Sequence, residues 1–527
     1  MVSGSARITQ VGNTTDIRQS SADVAIDWLS FNIGSQETVE FLQPSASAVA
    51  VNRISGTNGS QILGHLAANG QVYLINPNGI IFGKGAEVNV GGLIASTLDV
   101  SDSSLGGSSR SFSGEGTGSI VNEGTISAAN GGYVALVGNR VSNEGVISAQ
   151  LGTVAWGSGS AVTLDFSGNR LVRLQVDRST LNDLAQNKQL IEADGGVVIM
   201  TAGAKDALLA SVVNNTGVIE ARTVENHEGT IELLGGMSAG TVQVGGTLDA
   251  SAPQGGSGGS IETDAAHVEV ANEAKVTTAS STGLTGSWLI DPEDFTVAAS
   301  GGDITGAALS KELGTTSVTL ESSQGSKAGS GNLTVDDTVS WSANTHLTLT
   351  ASNDVDVNEN LTATGSTAGL AINPNTANGS ETASGKGTFN LRAGASITLS
   401  GADESLSIAT PSYTLGAGAG IYLAHVSPTS TTALVIGGVS YTVINSLGAA
   451  GSTTGTDLEG IEGKLGGHYA LGRSMVKSLI VWPKPSNVPA KGAAAVPIGV
   501  NPVYTGVAAP TKFHMSVGEA SMLLPSA

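Results

Sequence analysis

Cysteine is absent from all 527 residues, which excludes a disulfide framework and thiolate metal sites. The same lack suits a chain that crosses an oxidising periplasm unfolded, because no early disulfide can trap it. Aromatic residues make up only 4% of the sequence, so a large aromatic-filled globular core is excluded and burial has to come from aliphatic and β-branched side chains. Basic residues are also scarce: 23 Lys and Arg stand against 44 Asp and Glu, a formal net charge of −21. That balance removes the counter-ion release that drives nucleic-acid binding and makes anionic membrane surfaces unattractive, so no nucleic-acid partner is expected. No run of about 20 apolar residues occurs, and no transmembrane segment is expected. The N-terminal Met1-Val2-Ser3-Gly4-Ser5-Ala6-Arg7 lacks an apolar signal segment, so a secreted form implies a leader upstream of Met1 or already removed.

What is abundant is glycine, 73 residues, together with Val, Ile, Ala, Ser and Thr. This composition fits strands joined by many tight corners. A repeat gives those strands an order. Asn122-Glu123-Gly124-Thr125-Ile126-Ser127-Ala128 returns 21 residues later as Asn143-Glu144-Gly145-Val146-Ile147-Ser148-Ala149. Looser copies start at Asn215 and at Asn226, and strand pairs at Leu347/Leu349, Leu370/Ile372 and Phe389/Leu391 keep a similar spacing. A repeat of about 20 residues holds one rung of three short strands and three corners; stacked rungs pair each strand with its counterparts above and below. The expected fold is all-β, a right-handed parallel β-helix (solenoid) with short helical and hairpin excursions.

Helical spacing marks three such excursions: residues 179–185, 204–213 and 304–313. Gly255-Gly256-Ser257-Gly258-Gly259-Ser260 reads as a flexible break. The expected organisation is a first domain at 1–250, the Gly/Ser-rich break with continuing rungs at 251–287, and a β-rich region at 288–472 that opens on Trp288-Leu289-Ile290-Asp291-Pro292. A tail at 473–527 completes it. Seven of the chain's 14 prolines lie between Pro483 and Pro525, and Arg473, Lys477, Lys484, Lys491 and Lys512 face one acid, Glu519. The tail is thus expected to be disordered or aberrant, as if read from a shifted frame or a truncated gene.

Asn76-Pro77-Asn78-Gly79 has the residue preferences of a type I turn, with Val72 and Leu74 before it and Ile80-Ile81-Phe82 after it. By itself this is an ordinary corner. Its context is more specific: Trp28-Leu29-Ser30-Phe31-Asn32-Ile33-Gly34, Val51-Asn52-Arg53-Ile54, Gln61-Ile62-Leu63-Gly64, Gly70 through Ile80, and Ala95-Ser96-Thr97-Leu98 follow in order. Over about residues 3–250 the sequence resembles the two-partner secretion domain of filamentous-haemagglutinin and high-molecular-weight adhesin exoproteins. The resemblance implies a right-handed β-helix recognised by a dedicated outer-membrane β-barrel transporter of a Gram-negative bacterium. It assigns transporter recognition to Asn76, Pro77, Asn78, Gly79 and Ile80, which match the family's Asn-Pro-Asn-Gly-Ile motif, and to Asn52 and Arg53, which match a second short element. It further implies a secreted or cell-surface adhesin with a host-cell or bacterial-surface receptor that the sequence does not name.

Two other readings share this framework: the stalk of a contact-dependent toxin, or a haem-acquisition exoprotein. A β-helix polysaccharide lyase or hydrolase is a third. Such enzymes gather several carboxylates with Lys or Arg on neighbouring rungs. Here Glu123, Glu144 and Glu220 follow the strand repeat and read as solvated turn positions, and the seven histidines lack metal-ligand spacing. Asp336-Asp337 and Asp354/Asp356 read as exposed strand acids. No catalytic residue, metal site or cofactor is expected.

Overall fold

The computed structural model describes residues 1–472 except 102–104, 106, 167–171, 179–182, 204–212, 238, 323–328, 378–379, 382–386, 410–411, 424, 428–429 and 431–432. At 376–377, 380–381, 503–505, 512–517 and 520–525 it describes the backbone alone. The chain divides into two compact units, Met1–Phe295 with Thr315–Gly331, and Thr296–Gly314 with Asn332–Ala527.

The first unit is a solenoid of three parallel columns. One column runs from Thr14–Gln19 to Lys275–Thr277. A second runs from Asp23–Trp28 to Ser317–Ser322. The third runs from Ser60–Ile62 to His267–Val270. Two long strands, Glu87–Ser96 and Thr125–Gly138, bend to serve the first two columns, with a register shift between Val90 and Gly92. At the start of the first column Ala6–Val11 pairs antiparallel with Thr14–Gln19. That hairpin covers a strand edge that would otherwise invite pairing with another chain. The architecture is the right-handed parallel β-helix that the repeat predicts.

Side-chain alternation builds the core. In the second column Val24, Ala50, Val72, Leu93, Val134, Val154, Val198, Ile231, Ile261, Trp288 and Val318 fall in one row, and each is buried. Each full-sized aliphatic in such a row contributes roughly 1.5–3 kcal/mol by leaving water. The outward row of the same column is also apolar at first: Val51, Tyr73, Ile94, Ala135 and Ala155 are buried, because an antiparallel excursion covers them. Its strands are Asp99–Val100, Ser109–Ser113, Ala161–Asp165 and Arg173–Arg178, and they bring Phe112, Val162 and Leu164 onto that face. Two rungs beyond Ala155 the row becomes Glu232 and then Glu262.

One charge lies inside this second core. Arg110 is 8% exposed; its guanidinium donates to the Tyr73 hydroxyl and to Leu105 O at 3.0 Å, and lies 4.3 Å from the Phe166 ring centre. Tyr73 and Tyr133 share a hydroxyl contact of 3.1 Å, and Tyr133 donates to Gln71 Oε1 at 2.6 Å. A buried cation so held fixes the excursion in one position, since moving it would strand the charge.

The third column explains the asparagine of the repeat. Asn122, Asn143, Asn187 and Asn215 occupy successive rungs, all fully buried. Each Nδ2 donates to the next Oδ1, at 2.8 Å from Asn122 to Asn143 and 2.9 Å at the two following steps. The first three side chains also accept from a backbone N–H two residues on, at Gly124, Gly145 and Gln189. The ladder thus satisfies corner groups that bend away from strand pairing. It ends where Phe82 precedes Asn122 and Val244 follows Asn215. Asn187 lacks the sequence signature because Lys188-Gln189 replace Glu-Gly, whereas Asn226 lies in the turn closed by Val224 and His227 and is no rung of the ladder.

Other departures have local causes. Leu184–Asn187 is a strand, not the end of a helix: Ala185 pairs with Val141 and Asn187 with Asn143, so lateral pairing overrides local spacing. Residues 179–182 and 204–212 lie outside the described residues. Residues 255–260 form a corner, with Gly255 at φ +113° and Gly256 at +88°; Ser260–Asp264 pairs on both sides, with Thr230–Leu234 and Ser287–Asp291. Trp288 therefore adds a rung to the first unit.

The second unit repeats the plan with shorter strands. Leu333–Val335, Val355–Val357, Phe389–Leu391 and Tyr413–Leu415 stack in one column. Val339–Trp341, Leu361–Ala363, Ser396–Leu399 and Gly420–Leu423 form another, and His346–Ala351, Gly369–Asn373, Ser405–Ile408 and Leu434–Ile436 a third. The spacing over 304–313 forms a helix, Gly306–Glu312, whose N-cap Thr305 accepts from Ala308 N at 3.2 Å. Most of the tail lies outside the described residues; its backbone strands Lys512–Val517 and Ala520–Pro525 pair antiparallel.

Replacing Asn143 by Ala is expected to destabilise the first unit by roughly 2–4 kcal/mol, because it strands Asn122 Nδ2 and Gly145 N in the core. Urea unfolding of the purified protein measures it, and Asn143→Asp is expected to be at least as damaging because it buries a charge.

Candidate functional site

Residues 76–79 turn the chain from the second column into the third, between Gln71–Ile75 and Ile80–Phe82. Gly79 N donates to Asn76 O at 3.0 Å, which closes a four-residue turn. Asn76 organises its interior. The side chain is fully buried, its Nδ2 donates to Asn58 O and Ser60 Oγ, both at 3.0 Å, and its Oδ1 accepts from Asn78 N at 3.0 Å. Gly79 has φ +104°, and a Cβ there would lie 2.8 Å from Ser119 O. Glycine is required for both reasons. Ile80 is fully buried, in register between Ser60 and Ile120. Of the five motif residues, Pro77 and Asn78 alone are exposed, and Asn78 is steadied by a bond from its Nδ2 to Gly56 O at 2.9 Å.

Beside the turn is an open cleft of about 570 Å³. Gln61, Ile81 and Val121, the outward members of three adjacent strands, form one side, and Asn58, Asn78 and Ser119 are among its other lining residues. Asn32 joins the lining and accepts from Gln61 N at 2.9 Å. No lining residue is charged. Sequence reasoning did not single out Asn32, Gln61 or Ile81. A signal existed for Ile81: in Ile80-Ile81-Phe82 alternation turns the middle residue outward, and it is 43% exposed.

Asn52 and Arg53 lie away from this cleft. Asn52 is fully buried; its Oδ1 accepts from Trp28 Nε1 at 2.9 Å, and its Nδ2 donates to Ala50 O and Tyr73 O. Arg53 Nε donates to Asp99 Oδ1 at 2.8 Å and its Nη2 to Val100 O at 2.6 Å, clamping the first strand of the antiparallel excursion onto the solenoid. In the folded domain this pair organises packing, and the pairing of Val49–Ile54 with Gln71–Ile75 sets Arg53 beside Ile75, the residue that precedes the motif.

The carboxylates are held by neighbouring rungs. Lys188 lies 2.8 Å from Glu144 and keeps its carboxyl below the usual range. Arg222 bridges Glu192, Asp194 and Glu220 at 3.5, 2.7 and 3.0 Å. Asp336 accepts from Asn358 Nδ2 at 2.7 Å, Asp337 from Gly306 N at 2.8 Å, Asp354 from Thr388 N at 2.8 Å and Asp356 from Asn390 Nδ2 at 2.8 Å. Among the described residues no three His, Asp or Glu converge as metal ligands.

Asp264 differs. It stacks on Asp291 in the next rung, and burial, then Asp291, then Glu262 push its carboxyl up to about 7. Between an unfolded carboxyl's range near ~4 and that value, the folded state holds a proton that the unfolded chain has lost, so stability falls as pH rises through the window.

The family model of the TPS secretion domain matches residues 1–250. A heme/hemopexin-binding protein of Haemophilus influenzae strain Rd is 36% identical over 241 residues, 44% of this chain and 26% of that protein. Another heme/hemopexin-binding protein of Haemophilus influenzae is 34% identical over 243 residues, 41% of this chain and 25% of that one. The chain thus matches about a quarter of the length of these relatives. The crystal structure of the HMW1 secretion domain from Haemophilus influenzae superposes with a TM-score of 0.46 at 24% identity, covering 79% of this chain and 98% of the other. The first 250 residues are a parallel β-helical secretion domain. Over those residues the chain is similar to the secretion domain of two-partner secretion exoproteins.

Two outcomes follow from the site. Asn76→Ala is expected to cost roughly 1–3 kcal/mol, because it leaves buried turn groups unpaired, whereas Asn78→Ala is expected to stay within about 1 kcal/mol; urea unfolding compares them. The melting temperature is expected to drop between roughly pH 5 and pH 8, and Asp264→Asn to flatten the drop while raising stability at the upper end; calorimetry across the range checks this.

Proposed function

We propose that the first 250 residues are the address by which a dedicated outer-membrane β-barrel transporter selects this chain for export, and that the turn at residues 76–80 is the part it reads. The observation that carries the reading is the match of residues 1–250 to the TPS secretion domain. The geometry supports a division of labour within the motif. Asn76, Gly79 and Ile80 build the corner, and Pro77 and Asn78 face outward beside an uncharged cleft. A transporter meeting the folded corner reads Pro77 and Asn78; one meeting the chain before folding reads the whole motif, through strand addition. Asn52 and Arg53 then act in the extended chain, since folding commits both to packing. Rung-by-rung folding outside the cell gives export its direction, because each added rung buries apolar surface at about 25 cal/mol per Å² and opposes backsliding.

Outside the cell the chain acts as a filamentous-haemagglutinin-like adhesin, where many weak polar contacts along stacked rungs add together. A second reading, haem acquisition, is favoured by the two Haemophilus relatives, which are heme/hemopexin-binding proteins. Binding to host cells, compared with binding to haem and hemopexin, separates the two.

Asn78→Ala tests the address. It is expected to reduce export, or capture by the transporter's periplasmic part, about tenfold, the effect of losing a contact of ~1.4 kcal/mol, while the refolded domain keeps its stability. Unchanged export would remove Asn78 from the recognised surface.

A further inference from the structure

We propose that the Asn58-Gly59 peptide is a modification site: a spontaneous deamidation site that turns over in the folded protein and places a carboxylate in the uncharged cleft beside residues 76–79. In an Asn-Gly pair the glycine nitrogen can reach the asparagine Cγ because no following side chain obstructs it. The Gly N–Cγ bond forms and the Cγ–Nδ2 bond breaks, and the amide proton is relayed through water to Nδ2, which leaves as ammonia. Water then opens the resulting succinimide at either carbonyl, giving an isoaspartyl or aspartyl linkage with one new carboxylate. No oxidant or reductant is involved.

The sequence has five such pairs, at Asn58, Asn69, Asn78, Asn130 and Asn378. The fold sorts them. The reaction needs a side chain free to rotate onto the next nitrogen and a nitrogen free to attack. Asn78 fails on both counts: its Nδ2 is bound to Gly56 O and Asn76 Oδ1, and Gly79 N is bound to Asn76 O. Asn69 is held at both ends of its amide, donating to Gln43 O at 2.8 Å and accepting from Gln43 N at 2.7 Å. At Asn130 the nucleophile is occupied, since Gly131 N donates to Gln150 O at 2.9 Å with φ +73°. Asn58 is exposed, and among the described residues neither its side-chain amide nor Gly59 N has a hydrogen-bond partner. Asn378 and Gly379 lie outside the described residues.

The position gives the change a consequence. Asn58 O accepts one of the two bonds that fix Asn76 Nδ2, and a Cβ on Gly59 would stand 3.1 Å from Asn78 O. An isoaspartyl linkage lengthens the backbone by one methylene between those contacts and adds charge to a lining that has none. Ageing therefore alters the surface at the turn without unfolding the rungs beneath it.

Peptide mapping by mass spectrometry tests this on the full purified chain, incubated at mildly alkaline pH either folded or in denaturing urea. In the folded sample Asn58 is expected to gain the mass change of amide-to-acid conversion at least roughly tenfold faster than Asn69, Asn78 and Asn130, because those three react through local opening. In urea the four rates are expected to converge. Reaction at Asn78 or Asn130 as fast as at Asn58 in the folded sample would overturn the proposal. So would an Asn58 that reacts in urea but not in the folded protein.

Discussion

In a parallel solenoid each side chain sits about 4.8 Å from the residue at the same register position one turn above and one turn below, so every position must be compatible with its own column. The rest of the structure follows from that constraint. Aliphatic side chains tolerate stacking on their own kind, and the inner row from Val24 to Val318 is built that way. Asparagine tolerates it for another reason, because one side chain both donates and accepts; Asn122, Asn143, Asn187 and Asn215 therefore form a continuous chain of bonds. Carboxylates do not tolerate it without help. Glu192 and Glu220 stack with Arg222 bonded to both, whereas Asp264 stacks on Asp291 with Glu262 beside it, and burial together with these two acids pushes its carboxyl up to about 7.

The same constraint separates building from presenting at the turn. A corner breaks strand pairing, so its backbone groups need partners from side chains. Asn76 supplies them and is consumed by the task. The residue two positions on, Asn78, is left at the surface with its backbone already fixed. A motif that looks uniform in sequence is thus a buried scaffold carrying a two-residue exposed tip. Asn52 and Arg53 show the other side of this economy. Both are polar and both have the residue types of a contact surface, yet Asn52 is buried between Ile26 and Leu74 and the antiparallel excursion claims Arg53.

Much of the fold was legible because its period is written in the chain. The Asn-Glu-Gly and strand pattern at 122–128 and 143–149 specified rungs, and the cap and spacing at 304–313 specified the helix Gly306–Glu312. Legibility failed where stacking overrides local preference. Leu184–Asn187 carries helical spacing but is drawn into a strand by Asn143 and Val141, and Asn226 has the repeat's wording without its register. The cleft was less legible still, since Asn32, Gln61 and Ile81 are brought to one surface only by the stacking of successive rungs.

The sequence by itself determined the class of structure and the position of the turn at residues 76–79. Period, alternation and turn chemistry are local properties, and a residue's neighbours along the chain suffice to express them. Tertiary structure alone decided which motif residues face outward, which carboxylate keeps its proton, and which Asn-Gly pair stays free to react. Those outcomes depend on what lies one rung away, about 20 or more residues distant in the chain but a single strand spacing in space.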